Sequence, residues 1–175
     1  MLLNEWDIEL QENITPLGLC ELIEKRCQPE INASLGKIEQ YFSQLTDIEI
    51  PESDFELLQL LYTKLQDEVR HIFLKESGLI YPGIKKKHHG FFIEERASET
   101  IQHTQQVIVN LLIKLRHLLY NYVVNPDSTQ GWKDCVHEFF QLENKIHRWI
   151  YIEQSLLYPA ITHNSASTHT PDKEL

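Results

Sequence analysis

ESGLIYP at residues 76–82 and EQSLLYP at residues 153–159 share one pattern, E-x-x-L-(I/L)-Y-P. Each copy follows a long amphipathic segment, which predicts two helices that end alike, with a glutamate about one turn before each end. An acidic side chain on an otherwise apolar helix face is costly to bury without a partner. Glu76 and Glu153 are therefore the first candidates for a functional site.

The segments around the two repeats predict an all-α fold. Four stretches have apolar residues at helical spacing and none alternates with a period of two residues, so we expect no sheet. Four amphipathic helices of about 25–30 residues joined by loops are typical of an antiparallel, up-down-up-down four-helix bundle. We assign the bundle to residues 14–160, after an N-terminal extension at 1–13. Residues 161–175, rich in Ser, Thr and His, are expected to be a disordered tail.

Local signals in the first helix predict its start and an interruption. Thr15 is a good N-cap and Pro16 fits the first helical position, so the helix should begin there. Pro29 lacks an N–H group and should kink or interrupt the helix near residues 25–28.

Capping, glycine and proline signals also predict the limits of the other three helices. The second should run from a capping box at Ser53 and Glu56 to a stop at Gly78 and Pro82, the third from about Glu95 to Val123, and the fourth from near Ser128 to Pro159.

Composition and charge argue against several functions. The net charge is −10, and the first 60 residues hold 13 of the 26 acidic residues but only 3 of the 16 basic ones. This acidic character argues against nucleic-acid binding, while a protein partner for the acidic N-terminal third and a homodimer stay open. No apolar run approaches the roughly 20 residues that span a membrane, so we expect no membrane association. Three scattered cysteines and the absence of a secretory signal lead us to expect a cytoplasmic protein.

The repeats, with two further stretches, resemble the hemerythrin-like (HHE) four-helix bundles, and within them the di-iron proteins for repair of iron centres (RIC). The two E-x-x-L-(I/L)-Y-P endings are similar to the family's E-x-x-(V/I)-L-F-P. PLGLCELI at residues 16–23 resembles the start of the family's first helix. Asn125-Pro126 followed by Trp132 resembles the stretch between its third and fourth helices. The resemblance covers roughly residues 14–160.

The resemblance implies a non-haem di-iron cofactor with Glu76 and Glu153 as bridging carboxylates. In the family, a histidine four residues before each glutamate, with further histidines on the first and third helices, completes the ligand set. In this chain those positions carry other residues, namely Cys27, Ile72, Gln105 and Trp149. The bridging carboxylates are thus kept while the imidazoles are lost.

Three side chains are candidate replacement ligands. His71 lies five residues before Glu76, about 140° around an α-helix, so only a π bulge would bring it to the site. His103 lies off the core stripe of the third helix, and Cys27 is a soft thiolate candidate. We expect Ile72, Gln105 and Trp149 to line the pocket.

Without a metal, two facing glutamates need another partner. Burial and like charge both raise the pKa of such a pair, so a shared proton or the Gln105 amide is a candidate link between them. A bound water and a cation held mainly by oxygen ligands are the other candidate partners. The alternative is that one or both extend toward the end of the bundle, where water can reach them.

Three functions remain open at this point. The first is a degenerate family member, with weak or no metal binding, that acts as a binding or regulatory module in iron–sulfur repair or in nitrosative and oxidative stress. The second is a working non-haem iron protein with rearranged ligands that handles nitric oxide, oxygen or iron. The third is a small-molecule pocket in which the carboxylates hydrogen-bond a ligand. No nucleophile–base pair is visible, so the sequence favours no enzyme activity.

Overall fold

The computed structural model describes residues 14–87 and 93–162, which form four long helical segments. The predicted extension at 1–13 and residues 163–175 of the predicted tail lie outside this part of the chain. The helices are α1 (Pro16–Leu22), α2 (Gln28–Gln44), α3 (Glu52–Lys75), α4 (Tyr81–Lys87), α5 (Glu95–Leu118), α6 (Gln130–Ile152) and α7 (Tyr158–Ile161). Over these residues the only β feature is an isolated bridge between Ile93 and Thr162. The all-α prediction is confirmed, and the four segments are compatible with a four-helix bundle.

Helices α1 and α2 form one continuous segment that contains a π turn. The Thr15 side chain accepts a hydrogen bond from the Gly18 amide at 3.1 Å, and Pro16 is the first helical residue, so the predicted start is confirmed. The interruption predicted near residues 25–28 is a π turn at Ile23–Cys27.

The two repeats do not end their helices, which corrects the sequence prediction. A π turn at Glu76–Ile80 joins α3 to α4, and a second at Glu153–Leu157 joins α6 to α7. Proline is tolerated after each π turn because in an α-helix its ring meets the carbonyl four residues earlier. Here that carbonyl belongs to the widened turn, which carries an extra residue.

Two other helix limits differ from the predictions, and a third agrees with them. The capping box at Ser53 does not form, because α3 begins at Glu52 and has no side-chain cap. The α5 helix ends at Leu118, short of the predicted Val123. The α6 helix begins at Gln130, near the predicted start at Ser128, and Thr129 caps it by accepting from the Trp132 amide at 3.4 Å.

The core lies between two helix pairs, since α3 packs against α5 and α2 against α6. Buried Leu, Ile and Val side chains from all four segments fill it. Ser34 on α2 adds a polar link to α6, donating to the Glu138 carboxylate at 2.6 Å. Within the described residues, no helix combines the length and the apolar character needed to cross a membrane.

Candidate functional site

The two repeated glutamates meet inside the protein. Glu76 and Glu153 each begin a π turn, and both side chains are fully buried, with 0 % exposure. The alternative in which they extend into solvent is therefore wrong for this structure.

The tyrosines of the same two repeats hold the carboxylates. The Tyr81 hydroxyl lies between them, 3.0 Å from Glu76 Oε2 and 2.9 Å from Glu153 Oε1. The Tyr158 hydroxyl donates to Glu76 Oε1 at 2.7 Å. Each repeat thus supplies one acid and one phenol, and the four side chains form a single cluster.

Gln105 completes the cluster from the α5 side. Its side-chain amide donates to Glu153 Oε2 at 2.5 Å, and its carbonyl oxygen accepts from Gln154 Nε2 at 2.8 Å. As a result, each of the four carboxylate oxygens of Glu76 and Glu153 has one protein partner. This pairing is what buried charged or polar atoms require.

The number of hydrogens available in the cluster favours a pair of acids that shares one proton. The Tyr81 hydroxyl has one hydrogen but lies within hydrogen-bonding distance of both acids. It donates to one of them, so the contact with the other is favourable only where that carboxyl is protonated and donates to the Tyr81 oxygen. The geometry therefore fits one carboxylic acid beside one carboxylate.

Electrostatics lead to the same protonation. Burial raises the pKa of Glu76 to about 7, although its hydrogen bonds to Glu153 and to the two tyrosines oppose the shift. Burial also raises the pKa of Glu153 well above its usual range, and the adjacent charge of Glu76 adds to that effect. Desolvation and like charge thus both favour the neutral form of one member.

The residues that the resemblance aligns with ligand histidines lie in the interior. Ile72 and Trp149, the expected pocket-lining residues, are buried, and so is the candidate ligand Cys27. The Trp149 indole N–H lies close enough to Glu153 to lower that pKa, but it makes no hydrogen bond of normal geometry. Burial, with the nearby Glu153 charge, raises the pKa of the Cys27 thiol to about 12, so this side chain stays a neutral thiol.

The two candidate histidines lie elsewhere. His71 and His103 are both exposed, and neither contacts the carboxylate pair. The π bulge that His71 would need lies on the other side of Glu76, where it brings in Tyr81 instead.

These residues do not match the donor set of a di-iron centre. Among residues 14–87 and 93–162, no three His, Cys, Asp or Glu side chains are grouped in a way that would hold a metal ion. Iron in such centres is bound by several imidazoles together with carboxylates. Here phenol and amide groups are hydrogen-bonded to the carboxylate oxygens, and a neutral thiol, an isoleucine and an indole stand at three positions where the resemblance leads one to expect imidazoles.

The sequence analysis missed the two tyrosines as site residues. A signal for them was present, because both repeats have Tyr81 or Tyr158 where the similar family motif has phenylalanine. Tyrosine differs from phenylalanine by a hydroxyl. Its presence beside the glutamate in both repeats indicates a hydrogen bond between the hydroxyl and a carboxylate. Gln154, which supports Gln105, carried no such signal.

Comparison of the chain with protein-family models gives no match, and comparison with curated proteins gives no significant match. The hemerythrin-like resemblance therefore depends on the repeats and on the residues quoted with them.

Proposed function

We propose that this chain is a hemerythrin-like bundle, up-down-up-down in topology, in which protein hydrogen bonds replace the iron centre. It acts as a metal-free binding or regulatory module rather than as a redox protein. The processes in which it would act are those of the similar family, namely repair of iron–sulfur centres and responses to nitrosative or oxidative stress.

One observation carries this proposal: all four oxygens of Glu76 and Glu153 are paired with Tyr81, Tyr158 and Gln105. Iron would have to break these hydrogen bonds and remove the shared proton. In return it would gain only oxygen ligands, without the imidazoles that favour it over harder cations. The free energy of binding would therefore be much smaller than at an intact di-iron site.

Metal analysis of the purified protein tests the proposal. After growth in iron-replete medium we expect less than about a tenth of an iron atom per chain, because the donor set is incomplete. A content near two iron atoms per chain, with the spectrum of a carboxylate-bridged pair, would contradict it. That result would favour the working iron protein, and loss of the iron in His71→Ala or His103→Ala would then identify the substitute ligand.

A restored variant tests the ancestry separately. Cys27→His, Ile72→His, Gln105→His and Trp149→His replace the lost imidazoles, while Tyr81→Phe and Tyr158→Phe remove the hydroxyls that compete for the carboxylates. We expect this six-fold variant to gain iron. The matched control adds Glu76→Gln and Glu153→Gln to the same changes and should bind none. Equal iron in variant and control would show that the alignment with the family is wrong.

A further inference from the structure

A second polar site lies at the end of α5, away from the carboxylate pair. Three consecutive residues there, Tyr120, Asn121 and Tyr122, have φ values of 49°, 57° and 65°. The left-handed conformation is unfavourable for a residue with a side chain, and asparagine tolerates it better than tyrosine does. Strain of this kind is retained where the surrounding structure fixes the conformation, and it is concentrated at functional sites.

The strained turn places Tyr122 between two cavities. Its hydroxyl donates to Glu143 at 2.5 Å, and its ring packs edge-on against Phe140 with ring centres 5.7 Å apart. A cavity of about 410 Å³ lies on one side and a cavity of about 360 Å³ on the other. Asn121, Tyr122 and Phe140 line both, so the two cavities meet at an aromatic wall.

Basic groups converge on this wall although the protein as a whole is strongly acidic. Arg116 and His147 line the larger cavity, while Lys133 and His137 line the smaller one. Among the residues that the structure describes, Glu143 is the only acid lining either cavity, and its side chain is 6 % exposed. Glu143 is already paired with Tyr122 and lies 3.4 Å from both Arg116 and His147.

Glu143 therefore serves to orient Arg116 and His147 rather than to repel a ligand. One Arg116 nitrogen faces Glu143, which leaves the other N–H groups of a five-donor guanidinium for a second partner. The Arg116 and His147 side chains are 39 % and 48 % exposed, so a molecule in the cavity can reach them. A guanidinium with a free edge matches the two oxygens of a carboxylate or phosphate.

We propose that this double cavity binds a small aromatic oxyanion. Its carboxylate or phosphate group contacts Arg116 and His147, and its ring lies against Tyr122 and Phe140. Convergent polar groups beside aromatic side chains in a cavity of this size are typical of small-molecule sites. Glu143 precedes Glu153 by ten residues, about 15 Å along a helix, so this site is distinct from the carboxylate pair.

Benzoate and phenyl phosphate are suitable probes, followed by amide chemical shifts of the full-length protein. We expect saturable shifts of the Asn121, Phe140 and Asn144 amides at probe concentrations up to roughly 20 mM, a range that detects weak binding. Saturation by benzoate alone, by phenyl phosphate alone or by both supports the site and assigns its head group. No saturable shift with either probe would overturn the proposal.

Two variants and a control test the residues that carry the argument. Arg116→Gln should weaken binding about tenfold, because it removes the charge-assisted pair. Phe140→Leu, at an exposed position, should weaken it without changing a charge. Lys114→Gln removes the same charge from an exposed position of α5 outside both cavities, and it should bind as the wild type does. If Lys114→Gln and Arg116→Gln weaken probe binding equally, the probes are attracted only by the overall charge of the protein, and the proposed site is wrong.

Discussion

Replacing Tyr81 with phenylalanine removes one hydroxyl from the space between the two buried carboxyl groups. The hydroxyl lies 3.0 Å from Glu76 and 2.9 Å from Glu153, so both acids lose a partner. A hydrogen bond to a charged group contributes about 1.5–3 kcal/mol, and an acceptor left unpaired in the interior adds its desolvation penalty. We expect Tyr81→Phe to lower the free energy of unfolding by about 3 kcal/mol, which corresponds to a Tm decrease of roughly 6–12 °C for a chain of this length.

Urea unfolding at equilibrium measures this loss, and a double-mutant cycle assigns it. In a Glu153→Gln background the cost of Tyr81→Phe should fall to about 1 kcal/mol, because an amide removes the second charge and supplies its own N–H donors. Tyr151→Phe is the matched control. That tyrosine is 55 % exposed near the end of α6, so the change should stay within about 0.5 kcal/mol.

Two results would refute the reasoning about the shared proton. The first is a cost of Tyr81→Phe that does not exceed that of the Tyr151→Phe control. The second is an equal cost in the wild-type and Glu153→Gln backgrounds, since the hydroxyl would then not respond to the charge of the pair.

Three further changes test other parts of the structure. Burial raises the pKa of Glu76 to about 7, so the folded state keeps a proton that the unfolded state releases above its ordinary pKa of 4.5. Stability from this group is complete below pH 4.5 and is lost as the pH rises through 7. Relative to Glu76→Gln, the wild type should thus lose about 3 kcal/mol over this window in urea titrations, and parallel pH profiles would contradict this. Thr15→Ala should lower the unfolding free energy by about 1 kcal/mol through loss of the N-cap, whereas Thr46→Ala, outside a helix, should not. Tyr120→Gly should raise the Tm because it relieves roughly 1 kcal/mol of left-handed strain, and a lower Tm would show that the tyrosine side chain contributes more than its strain costs.

Helix content could be predicted from the sequence because it depends on spacing, whereas burial of the acid pair was one of two alternatives that spacing left open. Apolar residues at helical intervals require a buried face, whatever the details of packing. Glu76 and Glu153 stand on such faces, so the same intervals that bury their neighbours bury them. The family resemblance, rather than spacing alone, predicts Gln105 near them, and Gln105 donates to Glu153.

The limits of the helices are harder to predict because a proline can either end a helix or follow a π turn within it. Pro82 and Pro159 predict helix ends, since proline removes a hydrogen bond and its ring meets a carbonyl in an α-helix. Both instead follow a π turn, and Pro29 does as well. In all three cases the proline comes second after the turn, so the widened backbone and the ring occur together. Spacing alone does not distinguish a helix that stops from one that changes its winding.

The same π turns explain why the tyrosines belong to the site. In an α-helix, side chains five residues apart lie about 140° apart, so a buried Glu76 would leave Tyr81 on the flank of the helix. A π turn has one more residue per turn, which brings the fifth residue back toward the face of the first. The Tyr81 amide closes this turn on the Glu76 carbonyl, and the Tyr81 hydroxyl reaches the Glu76 carboxylate. The repeat E-x-x-L-(I/L)-Y-P thus contains a glutamate and a tyrosine five residues later. The π turn between them brings the tyrosine hydroxyl to the glutamates.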